Sequence, residues 1–142
     1  MWGFIIAIVS GVLMSVQGVF NTQVTKQTSL WVSSAFVQFT ALIVCLLVWG
    51  ITDKSSFGQL AKVQPWYMLL GGVLGALITV TVIKSVDGLG PAKSAMLIVI
   101  AQLIGAYLIE LLGLFGMEKQ PLEWRRVIGM AVSIAGIILF KL

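Results

Sequence analysis

The sequence predicts an all-α integral membrane protein of five transmembrane helices, and three observations carry that prediction. Hydrophobic residues fill 59% of the 142 positions and charged residues 10%, with a mean hydropathy of +1.07, well beyond what one soluble core needs. Five apolar runs, 2–21, 31–51, 66–85, 92–113 and 124–141, match the roughly 20 residues that a bilayer asks of a spanning helix. Trp2, Trp31, Trp49, Trp66, Tyr67 and Trp124 stand within a few residues of run ends, at the boundary where amphipathic rings prefer to sit. Residues 1–142 therefore form a single transmembrane domain in this expectation.

The first run opens at Trp2 with no charged leader or small-residue cleavage site before it, so it is expected to belong to the mature protein. It holds the most informative stretch, GVLMSVQGVFNTQV, with Gln17 and Asn21 one helical turn apart. An uncompensated amide in hydrocarbon costs several kcal/mol, so such groups face protein or a cavity. Ser10, Met14, Gln17 and Asn21 fall on one helical face. Lining a cavity and bonding a neighbouring helix both fit this pattern, and a third reading makes Asn21 the C-terminal residue of its helix.

The second run places Trp31, Ser34, Gln38 and Ala41 on one face. Trp31 suits an interfacial anchor or a contact to an organic cation. Cys45 lies mid-run, where a thiol behaves as a small hydrophobe, and no second cysteine is present to pair with it. A polar connection, TDKSSFGQLAKVQP, leads to the third run, which ends near Lys84 with Asp87 three residues on. Lys84 there either snorkels to the interface or reaches an acid across a subunit boundary. The breakers of DGLGP at 87–91 predict a tight connection to the fourth run.

In the fourth run Ser94, Gln102, Ala106 and Glu110 are nearly in line, so glutamines from three runs can converge on a midplane pocket. Amides both donate and accept, which suits a polar neutral or zwitterionic solute. Glu110 is the one acid well inside a run. At 1.5 Å per residue it lies about 27 Å from Ala92, near the far interface. Two roles fit it: a local ion pair with Arg125 or Arg126, or a proton-coupling carboxylate. The fifth run, RVIGMAVSIAGIILF, sets Gly129, Ser133 and Gly136 on one side and is expected to contact a second protomer. Further small-residue steps, Gly11 with Ser15, Gly71 with Gly75 and Ala101 with Gly105, are expected to pack helices within one protomer.

The net charge of +4 comes from basic residues scattered through the loops, which points to membrane topology and away from nucleic acid. With five spans, Lys54, Lys62, Lys119, Arg125 and Arg126 share one side, and Lys26, Lys84, Lys93 and Lys141 the other. Five against four is almost no bias, as expected of a chain that inserts both ways round. There is no histidine, no nucleophile with a base at readable spacing and no phosphate-cradling loop, so neither an enzyme, a metal site nor a cofactor is expected. A channel is disfavoured by the lack of a carbonyl-filter motif or a ring of like charges.

The segments G(x5)QGVFN, PWYMLLGGVLGAL, GLGPAKSAMLIVIAQLIGAYLIELLGLFG and WRRVIGMAVSIAGIIL occur in that order. Across essentially the whole chain this resembles the five-helix bacterial family, long labelled a domain of unknown function, within the drug/metabolite transporter superfamily. The resemblance implies a half-size unit of the bacterial inner membrane, paired with an inverted copy as an antiparallel homodimer. It also implies that spans one to four line a central cavity while the fifth lies outside it. The expected function is a secondary transporter, an exporter of a small organic solute working by alternating access. Gln17, Asn21, Gln38, Gln102 and Trp31 would contact substrate, and Glu110 would couple protons. The small multidrug exporters of that superfamily use a first-span glutamate; Gln17 stands here instead, which weighs against their cation-for-proton exchange. The competing expectation is a non-transporting membrane scaffold, in which the amides only knit helices together.

Overall fold

A computed structural model describes residues 1–141, without the Lys141 side chain, and no strand occurs among them. Five α-helices follow one another: α1 (Trp2–Gln27), α2 (Leu30–Thr52), α3 (Gly71–Leu89), α4 (Pro91–Leu112) and α5 (Trp124–Lys141). Short 3-10 turns cover Phe57–Lys62, Trp66–Leu70 and Leu114–Gly116, the second leading directly into α3. Among the described residues four helical segments, α1, α2, α4 and Trp66–Leu89, are long and apolar enough to cross a membrane. The α5 helix, with Arg125 and Arg126 in its first turn, is not among them.

The helix α1 outruns its apolar stretch by a turn and a half, ending at Gln27. Hydropathy falls off after Asn21, but hydrogen bonding does not. Thr22 Oγ1 donates to the Gly18 carbonyl at 2.7 Å and Thr28 Oγ1 to that of Val24 at 2.8 Å, which lets polar side chains ride on a continuing helix. Asn21 is thus well inside α1, and the expectation that it ends the helix is corrected. Only Thr28 and Ser29 separate α1 from α2, and Ser29 caps the second helix by accepting the Val32 N–H at 3.2 Å.

By compactness the chain divides into two units, residues 1–88 and the segment from Leu89 onward. In the first, α1 and α2 form a hairpin in which Ser33 Oγ donates to the Asn21 carbonyl at 3.1 Å. The α1 helix meets α3 at Gly18, where an added β-carbon would lie 3.4 Å from Val82 Cγ1 and 3.6 Å from Val86 Cγ2. Lys26 and Asp87 join the C-terminal ends of the same two helices at 3.4 Å. Asp87 therefore answers Lys26, and Lys84 makes no ion pair among the described residues.

Burial in this chain is inverted relative to a soluble fold. Among the described residues Ile83 is the one buried large apolar side chain, whereas Asn21, Thr22, Ser33, Ser34 and Ser94 are all buried and dozens of Leu, Ile, Val and Phe are exposed. Lipid tails are as apolar as leucine, so helices in a bilayer gain little by hiding such residues. They gain by close approach of small side chains and by hydrogen bonds. The glycines expected to pack helices within one protomer do not serve that purpose: beside Gly11, Gly71, Gly75 and Gly105 an added β-carbon would meet no atom within 4 Å among the described residues. Close approach falls at Gly18, against Val82 and Val86 of α3.

Candidate functional site

The residues predicted to line a site occupy very different environments. Gln17 is exposed on α1, although its neighbours Gly18 and Asn21 are buried. The Gln17 amide makes no hydrogen bond among the described residues, and neither does that of Asn21. Two residues one turn apart thus part company: the α1 stripe turned toward α2 and α3 is Gly18, Asn21 and Thr22, and Gln17 lies just past its edge. On α2 the expected face also divides, with Trp31 70% exposed and Ser34 only 5%.

Gln38 is half-buried, and its Nε2 donates to Thr79 Oγ1 of α3 at 3.0 Å. Thr79 Oγ1 in turn donates to the Gly75 carbonyl at 2.9 Å. Of the expected site residues in the first unit, Gln38 alone has a side-chain bond to another helix. Thr25 Oγ1 and Ser34 Oγ are buried without a hydrogen-bond partner among the described residues. The residues that sequence reasoning passed over here are Gly18, Thr79 and Ser33. A signal for the first was present in the Gly18 to Thr22 small-residue step; Thr79 and Ser33 offered none, since hydroxyls are common in spans.

In the second unit Gln102 is exposed on α4. Glu110, near the C-terminus of that helix, is the centre of a clamp on the α4 to α5 connection. Arg126 Nη1 donates to Glu110 Oε2 at 2.8 Å, while Arg126 Nε lies 3.2 Å from Glu123 Oε2. The Glu110 carbonyl accepts the Gln120 N–H at 2.9 Å, and the Tyr107 hydroxyl accepts the Glu123 N–H at 3.2 Å. Of the two arginines expected as partners, Arg126 forms the pair; Arg125, a residue earlier and so about 100° around the helix, does not. A cleft of about 480 Å³ beside the clamp is lined by Glu110, Gly116, Met117, Glu118, Gln120 and Arg126.

Glycine geometry makes that turn possible. Gly113 ends α4 with φ +64°, and a β-carbon there would come within 3.1 Å of Lys119 Cβ. On α5, Gly129, Ser133 and Gly136 are exposed, with Ser133 Oγ bonded back to the Gly129 carbonyl at 2.9 Å. No group of three or more acids, histidines or cysteines is placed to hold a metal ion among the described residues.

The model of the family described as "Putative inner membrane exporter, YdcZ" matches residues 2–139. The chain belongs to this YdcZ family. It is 23% identical over 117 residues to the inner membrane protein YdcZ of Escherichia coli (strain K12), a match covering 81% of this chain and 78% of that protein. No solved structure matches it. Membership meets the family-level resemblance seen in the sequence, and with several apolar helices it makes the chain a multi-pass inner-membrane protein.

Proposed function

We propose that the protein is a secondary transporter, exporting a small organic solute by alternating access at the interface of an antiparallel homodimer, with α5 as a fifth span. The observation that carries this reading is Gln17, an exposed amide without a partner among the described residues, on a helix otherwise fit for lipid. Leaving it against hydrocarbon would cost several kcal/mol, so in the membrane it faces a polar cavity or a second subunit. Alternating access between inverted units puts such a cavity near the midplane. Gln17, Asn21, Gln38, Gln102 and Trp31 then supply the substrate contacts. Glu110 offers the carboxylate for proton coupling, and inversion of the partner supports an ion pair between Lys84 and an acid of the other subunit. The uncovered Gly129, Ser133 and Gly136 face of α5 supports a contact between protomers. The family description supports an exporter, and the five-to-four split of basic residues supports dual insertion.

The test is flux in proteoliposomes across cationic, neutral and anionic organic solutes, with Gln17→Ala and Glu110→Gln beside the unmodified protein. Flux lost in Gln17→Ala is the expected result, and loss of pH-driven uptake in Glu110→Gln assigns the coupling carboxylate. No flux from well-folded protein over a broad panel favours the scaffold instead, with Gln38 bonding to Thr79 purely as packing.

A further inference from the structure

Two hydrogen bonds run in series, one from α2 to α3 and the next within α3, and their order decides the polarity of Gln38. Thr79 Oγ1 lies 2.9 Å from the Gly75 carbonyl, which can only accept, so the single hydroxyl proton is committed there. The Gln38 side chain meets the same Thr79 oxygen at 3.0 Å. An oxygen that has spent its proton can only accept a further bond, so the Gln38 atom facing it must be the amide nitrogen. A side-chain amide normally leaves its N and O interchangeable; here the Gly75 carbonyl, acting through Thr79, favours the orientation in which Nε2 donates, since that one keeps both bonds. Turning the amide over would set acceptor against acceptor or withdraw the proton from Gly75. Gln38 is left with both lone pairs of Oε1 and one N–H, with Oε1 on the branch away from Thr79. The amides of Gln17 and Gln102 are exposed and unbonded among the described residues, so they can turn to suit donors and acceptors alike.

We infer that Thr79 is a positioning residue that holds Gln38 with its carbonyl oxygen ready to accept, so that the site selects solutes carrying N–H donors, such as primary ammonium or guanidinium cations, over quaternary ammonium cations of similar size. This rests on the transporter reading above. A group built to accept an N–H is left unpaired by a solute that lacks one, and discrimination of that kind exceeds what apolar contacts achieve.

Ethanolamine and choline make the test, since they share a hydroxyethyl arm and a positive charge and differ in their N–H donors. Their uptake by the full chain in proteoliposomes is compared for the unmodified protein, Thr79→Ser and Thr79→Val. The unmodified protein and Thr79→Ser, which keeps the hydroxyl, are expected to prefer ethanolamine. In Thr79→Val the KM for ethanolamine is expected to rise about tenfold with the maximal rate within about twofold, and the preference to fall toward unity. A purely structural Thr79 would instead lower the rate for both solutes and leave their ratio alone. An unchanged ratio in Thr79→Val, or no ethanolamine preference at the outset, overturns the inference while leaving transport standing. Uptake of neither probe, together with silence over the broader panel, overturns the transporter reading and this inference with it. If Thr79→Val does not fold, Thr79→Ala is read by the same ratio.

Discussion

Arg126 reaches back from the first turn of α5 to place Nη1 2.8 Å from Oε2 of Glu110. Both side chains are partly exposed, 44% and 38%, and Arg126 also answers Glu123, so solvent screens the pair and sharing dilutes it. Glu110→Gln is expected to cost about 1 kcal/mol or less of unfolding free energy in detergent. Arg126→Gln should cost slightly more, having two carboxylates to abandon. The double variant should be more stable than the sum of the singles predicts, because the shared bond is lost only once. Strict additivity would mean that the pair does not form.

Gly18 makes the second prediction. An alanine there would sit at ordinary contact distance from Val82 and Val86, so Gly18→Ala should be nearly neutral. Gly18→Leu must drive α1 from α3 and should cost about 1–3 kcal/mol. Combining it with Val82→Ala should recover part of that loss. Denaturation in mixed detergent, followed by helical circular dichroism, reads both. A neutral Gly18→Leu would place the helix crossing elsewhere.

Backbone conformation separates two other glycines. Gly90, between α3 and α4, has φ +80° and ψ 162°, a region essentially reserved for glycine, whereas Gly113 has the left-handed values +64° and +41° that other residues adopt at a moderate cost. Space reverses part of that order, since Gly113 is crowded by Lys119 and Gly90 is open. Gly90→Ala and Gly113→Ala should each lose about 1–3 kcal/mol. Gly113→Asn should recover little, because the tolerance of asparagine for this conformation does nothing for the β-carbon clash. Recovery to the level of glycine would show that the Lys119 contact yields freely.

Dual insertion predicts labelling from both faces of the membrane. With Cys45→Ser as background, a cysteine at Ser55, in the connection after α2, should react with an impermeant maleimide in intact spheroplasts and again, as a separate fraction, in inverted vesicles. Reaction from one face alone would require an inverted partner of different sequence.

How much of this was legible in the residues differs from element to element. The α4 helix begins at Pro91 and gives way at Gly113, and α5 begins at Trp124, all points where the residue itself acts on backbone freedom or interfacial preference. The end of α1 was misplaced, because hydropathy marks where lipid-compatible residues stop, and back-bonding threonines carry the helix further. In the candidate site, periodicity put Gln17 and Asn21 on one face, and the structure parts them at its edge. Asp87 was read beside Lys84 along its own helix, whereas Lys26 arrives from another.

By itself the sequence determined that the chain is helical, that it belongs in a membrane, and which polar residues are too costly to be accidental. All three follow from transfer free energies and periodicity, which are properties of residues and their near neighbours. Only the tertiary structure decided that Gly18 meets Val82 and Val86, that Ser33 bonds the Asn21 carbonyl, that Arg126 takes Glu110, and that Gln38 donates to Thr79. Those outcomes depend on where a second helix lies, and a glycine step or a lone hydroxyl has the same local chemistry whether or not one is there.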